Sequence, residues 1–301
     1  GFNVKEGKLG WTWATASWFG KDSEDPKERR RYELSLAKAK RSQRQDAKKI
    51  GQALKKPNAP FIMRKPTDLA GWPEQQFIPL PIELTPDQRP IYEQAWSTFR
   101  SWMKMTPPHT DSKGALVQTL RYRQKASLLK APAMIAQIKD WIDAGYQVAV
   151  SLEFLETLDA IKEGLEAAKI TVSEISGRNP EEREEERLRF QRGEAVVCLY
   201  TVVAGISLHQ EESLPDGTKA TSTPRITALV DVRQNPLNTL QAIGRAHRDG
   251  QNSLTFFPYL ENTVDENVIS SFVNKNANLK TMMGSSKEEA ESMESLFRSF
   301  I

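Results

Sequence analysis

Cysteine is nearly missing from this chain: 301 residues contain one, Cys198. A disulfide framework and a cysteine-based zinc site are both excluded. Histidine is almost as scarce, and His109, His209 and His247 lie far apart in sequence, which argues against a metal centre. No apolar run approaches the ~20 residues that span a bilayer. No basic-then-apolar leader opens the chain, so the expected setting is intracellular and away from membranes. The chain begins at Gly1 rather than Met and reads as a processed, cleaved or truncated product. The phosphate-cradling pattern G-x-x-x-x-G-K-[ST] is also missing. The nearest Gly-Lys pair, Gly7-Lys8, lacks both the upstream glycine and a preceding strand. No Asp-Glu pair closes an apolar strand to hold magnesium. The chain alone therefore cannot assemble a P-loop ATPase site, and no nucleophile–base pair supports another enzyme class.

What is present is unevenly charged. The whole chain carries +3, yet residues 27–56 hold twelve Lys/Arg against three Asp/Glu, a net of +9 that leaves −6 for the rest. Such asymmetry marks either a phosphate-binding surface, with Lys38, Lys40, Arg41 and Arg44 at its centre, or a solvated basic helix.

Four zones follow: a basic segment over 1–60, a junction and helical protrusion over 61–115, an alternating region over 116–283, and a tail over 284–301. In the junction, "QFIPLPIEL" is extended but carries Pro79 and Pro81, so it reads as an edge or linker strand. Thr85 caps the next helix, with Pro86 at its first position and Gln88 completing a capping box. Ile91, Ala95, Trp96, Phe99 and Trp102 fall on one face at helical spacing. Packing is the preferred role for the two tryptophans over base stacking.

The alternating region predicts a helix from Pro132 to about 144, then the strand "QVAVSL" (147–152), a helix over 154–168 and the strand "ITVSEI" (170–175). The charged helix "EEREEERLRFQRG" leads to "AVVCLYT" (195–201). Then come "ITALVDV" (226–232), a helix from Pro236 to about His247, "LTFFPYL" (254–260), and a helix with Val264, Val268, Ile269 and Phe272 on one face. The strands are continuous apolar runs rather than alternating ones. That predicts an α/β fold, a mainly parallel sheet with helices on both faces. Functional groups then collect at the C-terminal edge of the strands.

At that edge "QAIGRAHRDGQ" (241–251) places Arg245 and Arg248 on one helix face. Each is permanently charged and presents a rigid donor fork. They either pair with local acids such as Asp231 and Asp249 or reach a phosphate held by another domain.

This stretch resembles motif VI of superfamily 2 helicases and translocases, Q-x-x-G-R-x-x-R-x-G-Q, and its "HRDGQ" is similar to the Swi/Snf-type branch. Four further blocks fall in the family's order. "PFIMRK…WPEQQFIPLPIELTPDQRPIYEQ" resembles the Swi/Snf-type junction, and "LRYRQKASLLKAPAMIAQIKDWIDAGYQVAVSLEFLETLDAI" the entry to the second RecA-like lobe. "ISGRNPEEREEERLRFQRGEAVVCLYTVVAGISLHQ" is similar to the block ending in motif V. "DVRQNPLNTLQAIGRAHRDGQ" stands where the family has its W-N-P approach to motif VI. The variation is closest to annealing-helicase-like members, and the resemblance covers about 60–285.

The resemblance implies a C-terminal RecA-like lobe of a two-lobed, ATP-dependent DNA motor, preceded here by a basic, largely helical extension. It implies that Arg248 and Arg245 reach nucleotide phosphates across a cleft, with Arg248 the arginine finger. Gln241, Gly244 and Gly205 would support the nucleotide side. Thr201, Ser151, Gly177 and Arg178 would meet the nucleic-acid backbone without reading sequence. ATP with Mg2+ would be shared with a first RecA-like lobe, in the same chain or in a separate subunit. Motif V departs from the family: Ala204 and Ser207 replace glycines and His209 replaces Asn, which puts the Thr201 contact in doubt. The missing first lobe leaves three expectations open: a piece of a longer motor, a split-motor subunit, or a non-catalytic module that binds nucleic acid or protein.

Overall fold

The computed structural model describes residues 76–105, 112–201, 205–233, 236–247, 254–263, 265–266 and 268–269, with scattered positions between 26 and 52. Two compact units divide the chain. The first comprises Gly1–Arg64, Pro108–Thr110 and Asn274–Leu296; the second comprises Lys65–Pro107, Asp111–Val273 and Phe297–Ile301. In the first unit the described positions, among them Lys27, Arg30 and Lys49, are helical and exposed. Lys38, Lys40, Arg41 and Arg44, and the tail over 284–301, lie outside the described residues.

The second unit holds the sheet. In chain order its elements are β1 (Gln76–Ile82), α1 (Gln88–Met105), α2 (Ser112–Asp143), β2 (Gln147–Ser151), α3 (Leu155–Ala167), β3 (Val172–Ile175), α4 (Arg183–Gln191), β4 (Val197–Tyr200), β5 (Arg225–Leu229), α5 (Pro236–Ile243) and β6 (Leu254–Leu260). Six strands run in the order β1-β6-β5-β2-β4-β3, and every pairing is parallel. Successive side chains of a strand point to opposite faces. Every residue of β2, β3, β4 and β5 is buried, so both faces of the sheet are covered, as the unbroken apolar runs predict. Val148, Val150, Leu158, Ile161, Leu165, Phe190 and Leu199 have no exposure at all. Each such burial is worth about 1.5–3 kcal/mol. Among the described residues no helix is long and apolar enough to cross a membrane.

The proline-bearing strand takes the edge. The Glu261 N–H donates to the Ile82 carbonyl (3.0 Å), which turns the even-numbered residues of β1 towards β6. Pro79 and Pro81 therefore point their missing N–H groups at the free edge, where no ladder bond is lost. The capping box forms as spelled. The Thr85 N–H donates to Gln88 Oε1 (3.1 Å) and the Gln88 N–H to Thr85 Oγ1 (3.3 Å).

Two expectations are corrected. Pro132 does not open a helix; it lies inside the 32-residue α2. Its ring leaves the Leu128 carbonyl without a partner, but Leu128 is on an exposed face where water serves. The Gln88 amide also donates to the adjacent Leu129 carbonyl (3.1 Å). On α1, Ile91 is 53% exposed, whereas Tyr92 is 6% exposed. The packed face is Tyr92–Trp96–Phe99, whose rings meet Tyr122 of α2. Trp96 thus packs against its neighbours, as preferred. Helix α2 ends where Gly145 adopts φ +89°, a left-handed conformation that costs glycine little.

Candidate nucleotide and nucleic-acid face

The C-terminal ends of β2, β3, β4 and β5 lie side by side, and most of the candidate residues stand just beyond them. Two loops carry most of the geometry. The first follows β3. Asn179 Oδ1 accepts from the Ser176 N–H (2.9 Å), and the Asn179 amide donates to the Glu174 carbonyl (2.8 Å). The Glu174 carboxylate accepts from Ser176 Oγ (2.7 Å), Arg178 Nε (2.7 Å) and Lys162 Nζ (3.1 Å). Burial pushes this carboxyl up, but the hydrogen bonds from Arg178, Ser176 and Lys162 outweigh it and hold the pKa at about 2. The Arg178 guanidinium also clasps Asp159, at 2.5 Å and 3.2 Å. It is thus committed to two carboxylates. Gly177 is exposed, and no heavy atom lies within 4 Å of where its Cβ would stand.

The second loop follows β4. The Thr201 N–H donates to the Ile175 carbonyl (3.0 Å). Its own carbonyl accepts from Arg233 Nη2 (2.8 Å), which also donates to the Leu152 carbonyl beyond β2 (2.9 Å). Thr201 is half-buried; Gly205 is exposed with φ +73°. At the far end Arg245 Nη1 donates to the Ile206 carbonyl (2.8 Å), and the Arg245 carbonyl accepts from the Leu208 N–H (2.8 Å). Arg245 Nε donates to the Gln241 carbonyl (3.1 Å). The Tyr200 hydroxyl, fully buried, donates to the Ala242 carbonyl (2.8 Å), and burial pushes its pKa well up. The loop is therefore fastened at both ends to the segment that bears Gln241 and Arg245.

Gln241 is exposed, and Gly244 sits at the turn ending α5, its N–H donating to the Leu240 carbonyl (3.0 Å). Arg245 does not depend on Asp231. That carboxylate accepts from the Glu153 N–H (2.9 Å) and lies 3.8 Å from Lys130 Nζ. Ser151 is fully buried within β2, so its side chain presents nothing to the surface here. Arg248 and Asp249 lie outside the described residues. Among the described residues no group of three or more His, Cys, Asp or Glu side chains is arranged to hold a metal ion.

Sequence reasoning missed Arg233, although it follows an apolar strand in the way that drew attention to Arg245. It also missed Gln191, whose amide donates to the carbonyls of Ser207 (3.3 Å) and His209 (3.1 Å) and to Glu212. The two motif V departures meet each other: Ser207 Oγ and His209 Nδ1 are hydrogen-bonded at 2.7 Å.

No family model matches the chain. A curated protein of Acanthamoeba polyphaga mimivirus, named "Putative ATP-dependent RNA helicase L364", is 24% identical over 221 residues, which is 70% of this chain and 37% of that protein. The chain thus spans little more than a third of that relative's length. Among solved structures, the Sulfolobus solfataricus SWI2/SNF2 ATPase core in complex with dsDNA is similar with a TM-score of 0.50 and 16% identity, over 70% of this chain and half of that one. A Sulfolobus solfataricus SWI2/SNF2 ATPase C-terminal domain gives a TM-score of 0.49 at 16% identity, over 74% of this chain and 96% of that one. The chain has the RecA-like α/β fold, six parallel strands with helices. In fold the likeness is to the SWI2/SNF2 ATPase core, and in sequence to a protein named as a helicase.

Proposed function

We propose that the chain is the C-terminal motor lobe of an ATP-dependent DNA helicase or translocase, built over 116–283, with 61–115 as the junction to a first lobe. One observation carries the reading: the stretch from Tyr200 to Leu208 is hydrogen-bonded at both ends to the segment bearing Gln241 and Arg245, from the Tyr200 hydroxyl to Ala242 and from Ile206 and Leu208 to Arg245. A backbone-contact loop and a phosphate-facing helix must move together in a motor that converts nucleotide state into grip on nucleic acid. ATP and Mg2+ are held chiefly by the first lobe, which supplies the P-loop and acidic motif absent from this sequence. Arg248 is the finger that meets the γ-phosphate. Arg245, whose guanidinium rests on the Gln241 and Ile206 carbonyls, braces the segment that leads to the finger. On the nucleic-acid side the exposed backbone at Gly177 and the side chain of Thr201 follow the phosphates, the basic stretch around Lys38 to Arg44 binds phosphate in its own right, and Gly205 belongs with Gln241 and Gly244 to the nucleotide side.

The test mixes this chain with a first lobe, in cis or as a subunit, and measures ATP hydrolysis with and without duplex DNA. Stimulation by DNA is expected, and Arg248→Ala should lower the stimulated rate by about 10³-fold or more. An undiminished rate in Arg248→Ala removes the finger assignment, and a wild type that never hydrolyses ATP removes the motor reading. The commitment of Arg245 to the Gln241 and Ile206 carbonyls favours a second reading, a non-catalytic nucleic-acid-binding module. That reading is selected if DNA is bound, with affinity falling as salt rises, in a protein with no ATPase activity.

A further inference from the structure

We infer that Arg233 is a positioning residue that couples the Thr201 loop to α5, an inference that rests on the motor reading above. Arg233 lies outside the positions that the motif resemblance assigns, immediately before the Gln-Asn-Pro that replaces the family's Trp-Asn-Pro. Its connections are unusually far-reaching. Both hydrogens of Nη2 are used, on the carbonyls of Leu152 (2.9 Å) and Thr201 (2.8 Å), 81 and 32 residues away in the chain. Those carbonyls lie one residue past the ends of the neighbouring strands β2 and β4. The Arg233 N–H donates to Thr239 Oγ1 in α5 (3.1 Å). The path from Thr201 through Arg233 and Thr239 along α5 to Arg245 returns to the same loop at Ile206.

The loop and α5 therefore form a closed ring, and Arg233 is its only charged link on the Thr201 side among the described residues. A shift of α5 with nucleotide state pulls on the Thr201 carbonyl through a planar, permanently charged group. The same group holds Leu152, so the β2 and β4 ends move as one. Arg233 touches neither phosphate nor nucleic acid in this scheme; it sets where the Thr201 loop stands for each state of α5.

The experiment uses the chain with its first lobe. Wild type, Arg233→Met, Arg233→Lys and Thr239→Val are compared for unstimulated ATPase, duplex-DNA-stimulated ATPase, DNA affinity with and without a non-hydrolysable ATP analogue, and Tm. In wild type the analogue changes DNA affinity. In Arg233→Met and in Thr239→Val that change should shrink about tenfold, the order of a typical coupling between sites. The stimulation ratio should fall with it, while the unstimulated rate stays within about twofold, since no phosphate contact is lost. Arg233→Lys should restore part of the coupling, because an ammonium can still donate to the carbonyls. If Arg233→Met keeps the wild-type response to the analogue, the inference is wrong. It is equally wrong if both rates and Tm fall together without rescue by lysine, since Arg233 is then a folding residue only. A wild type with no DNA-stimulated ATPase removes the motor reading itself, an outcome recognised before any variant is compared.

Discussion

The loops after β3 and β4 stand side by side at one edge of the sheet and are held by opposite means. The first is built from its own neighbourhood. Asn179, Ser176 and Arg178 fold back on Glu174, and Asp159 and Lys162 of the preceding helix complete the cluster. The second is held from outside, by Arg233 and Arg245, by the Tyr200 hydroxyl reaching α5, and further along by Gln191 of α4. A loop satisfied by local partners keeps its shape whatever the rest of the lobe does. A loop whose anchors sit on another element follows that element. The β3 loop is built to keep its shape, the β4 loop to follow its anchors.

The contrast breaks most severely at Glu174. Glu174→Gln leaves three cationic or hydroxyl donors without their carboxylate and should cost about 2 kcal/mol of stability, read as a lower urea midpoint at neutral pH. The pH dependence follows from the depressed pKa. The folded state prefers the ionised carboxylate, so its contribution is fully present above the ordinary value near 4.5 and disappears as pH falls towards about 2. The difference between wild type and Glu174→Gln should shrink across that window; a constant difference would sink the account of the β3 loop.

Tyr200→Phe probes the opposite arrangement. It removes the donor to the Ala242 carbonyl and should cost about 1 kcal/mol. In the motor proposed above it should also loosen the link between nucleotide and DNA affinity. A change in stability with the coupling intact would assign Tyr200 to packing alone. The smallest effect is expected at Gly205. No heavy atom lies within 4 Å of where its Cβ would stand, so Gly205→Ala costs only the left-handed backbone, about 1 kcal/mol or less. Differential scanning calorimetry would show it; a much larger loss of Tm would mean that the loop is packed more tightly than its exposure indicates.

Much of the lobe was legible because the code for it is local. The strand "LTFFPYL" occupies Leu254–Leu260, as read, and the Thr85–Gln88 capping box is a four-residue signal that completes itself. Pro132 misled because proline is read as a helix start, whereas a face exposed to water tolerates it within a helix. Ile91 misled because helical spacing says which residues share a face but not which face finds a partner. Arg245 was singled out by its motif, but the motif carries no information about which carbonyls take its guanidinium. Arg233 was missed for a related reason: its acceptors are main-chain oxygens of distant strands, which leave no mark on side-chain pattern. Glu174 is a single charge within an apolar run, and its three donors, Arg178, Ser176 and Lys162, come together only in the fold.

The position of Pro79 and Pro81 on β1 has a consequence beyond the tolerance of proline. Along its outer side β1 offers carbonyls but lacks two of the N–H groups that a seventh strand would need. A neighbouring chain, or a second copy of this one, cannot extend the sheet there by backbone pairing. Among the described strands the sheet ends at β1, and a backbone partner on that flank would find two N–H donors missing.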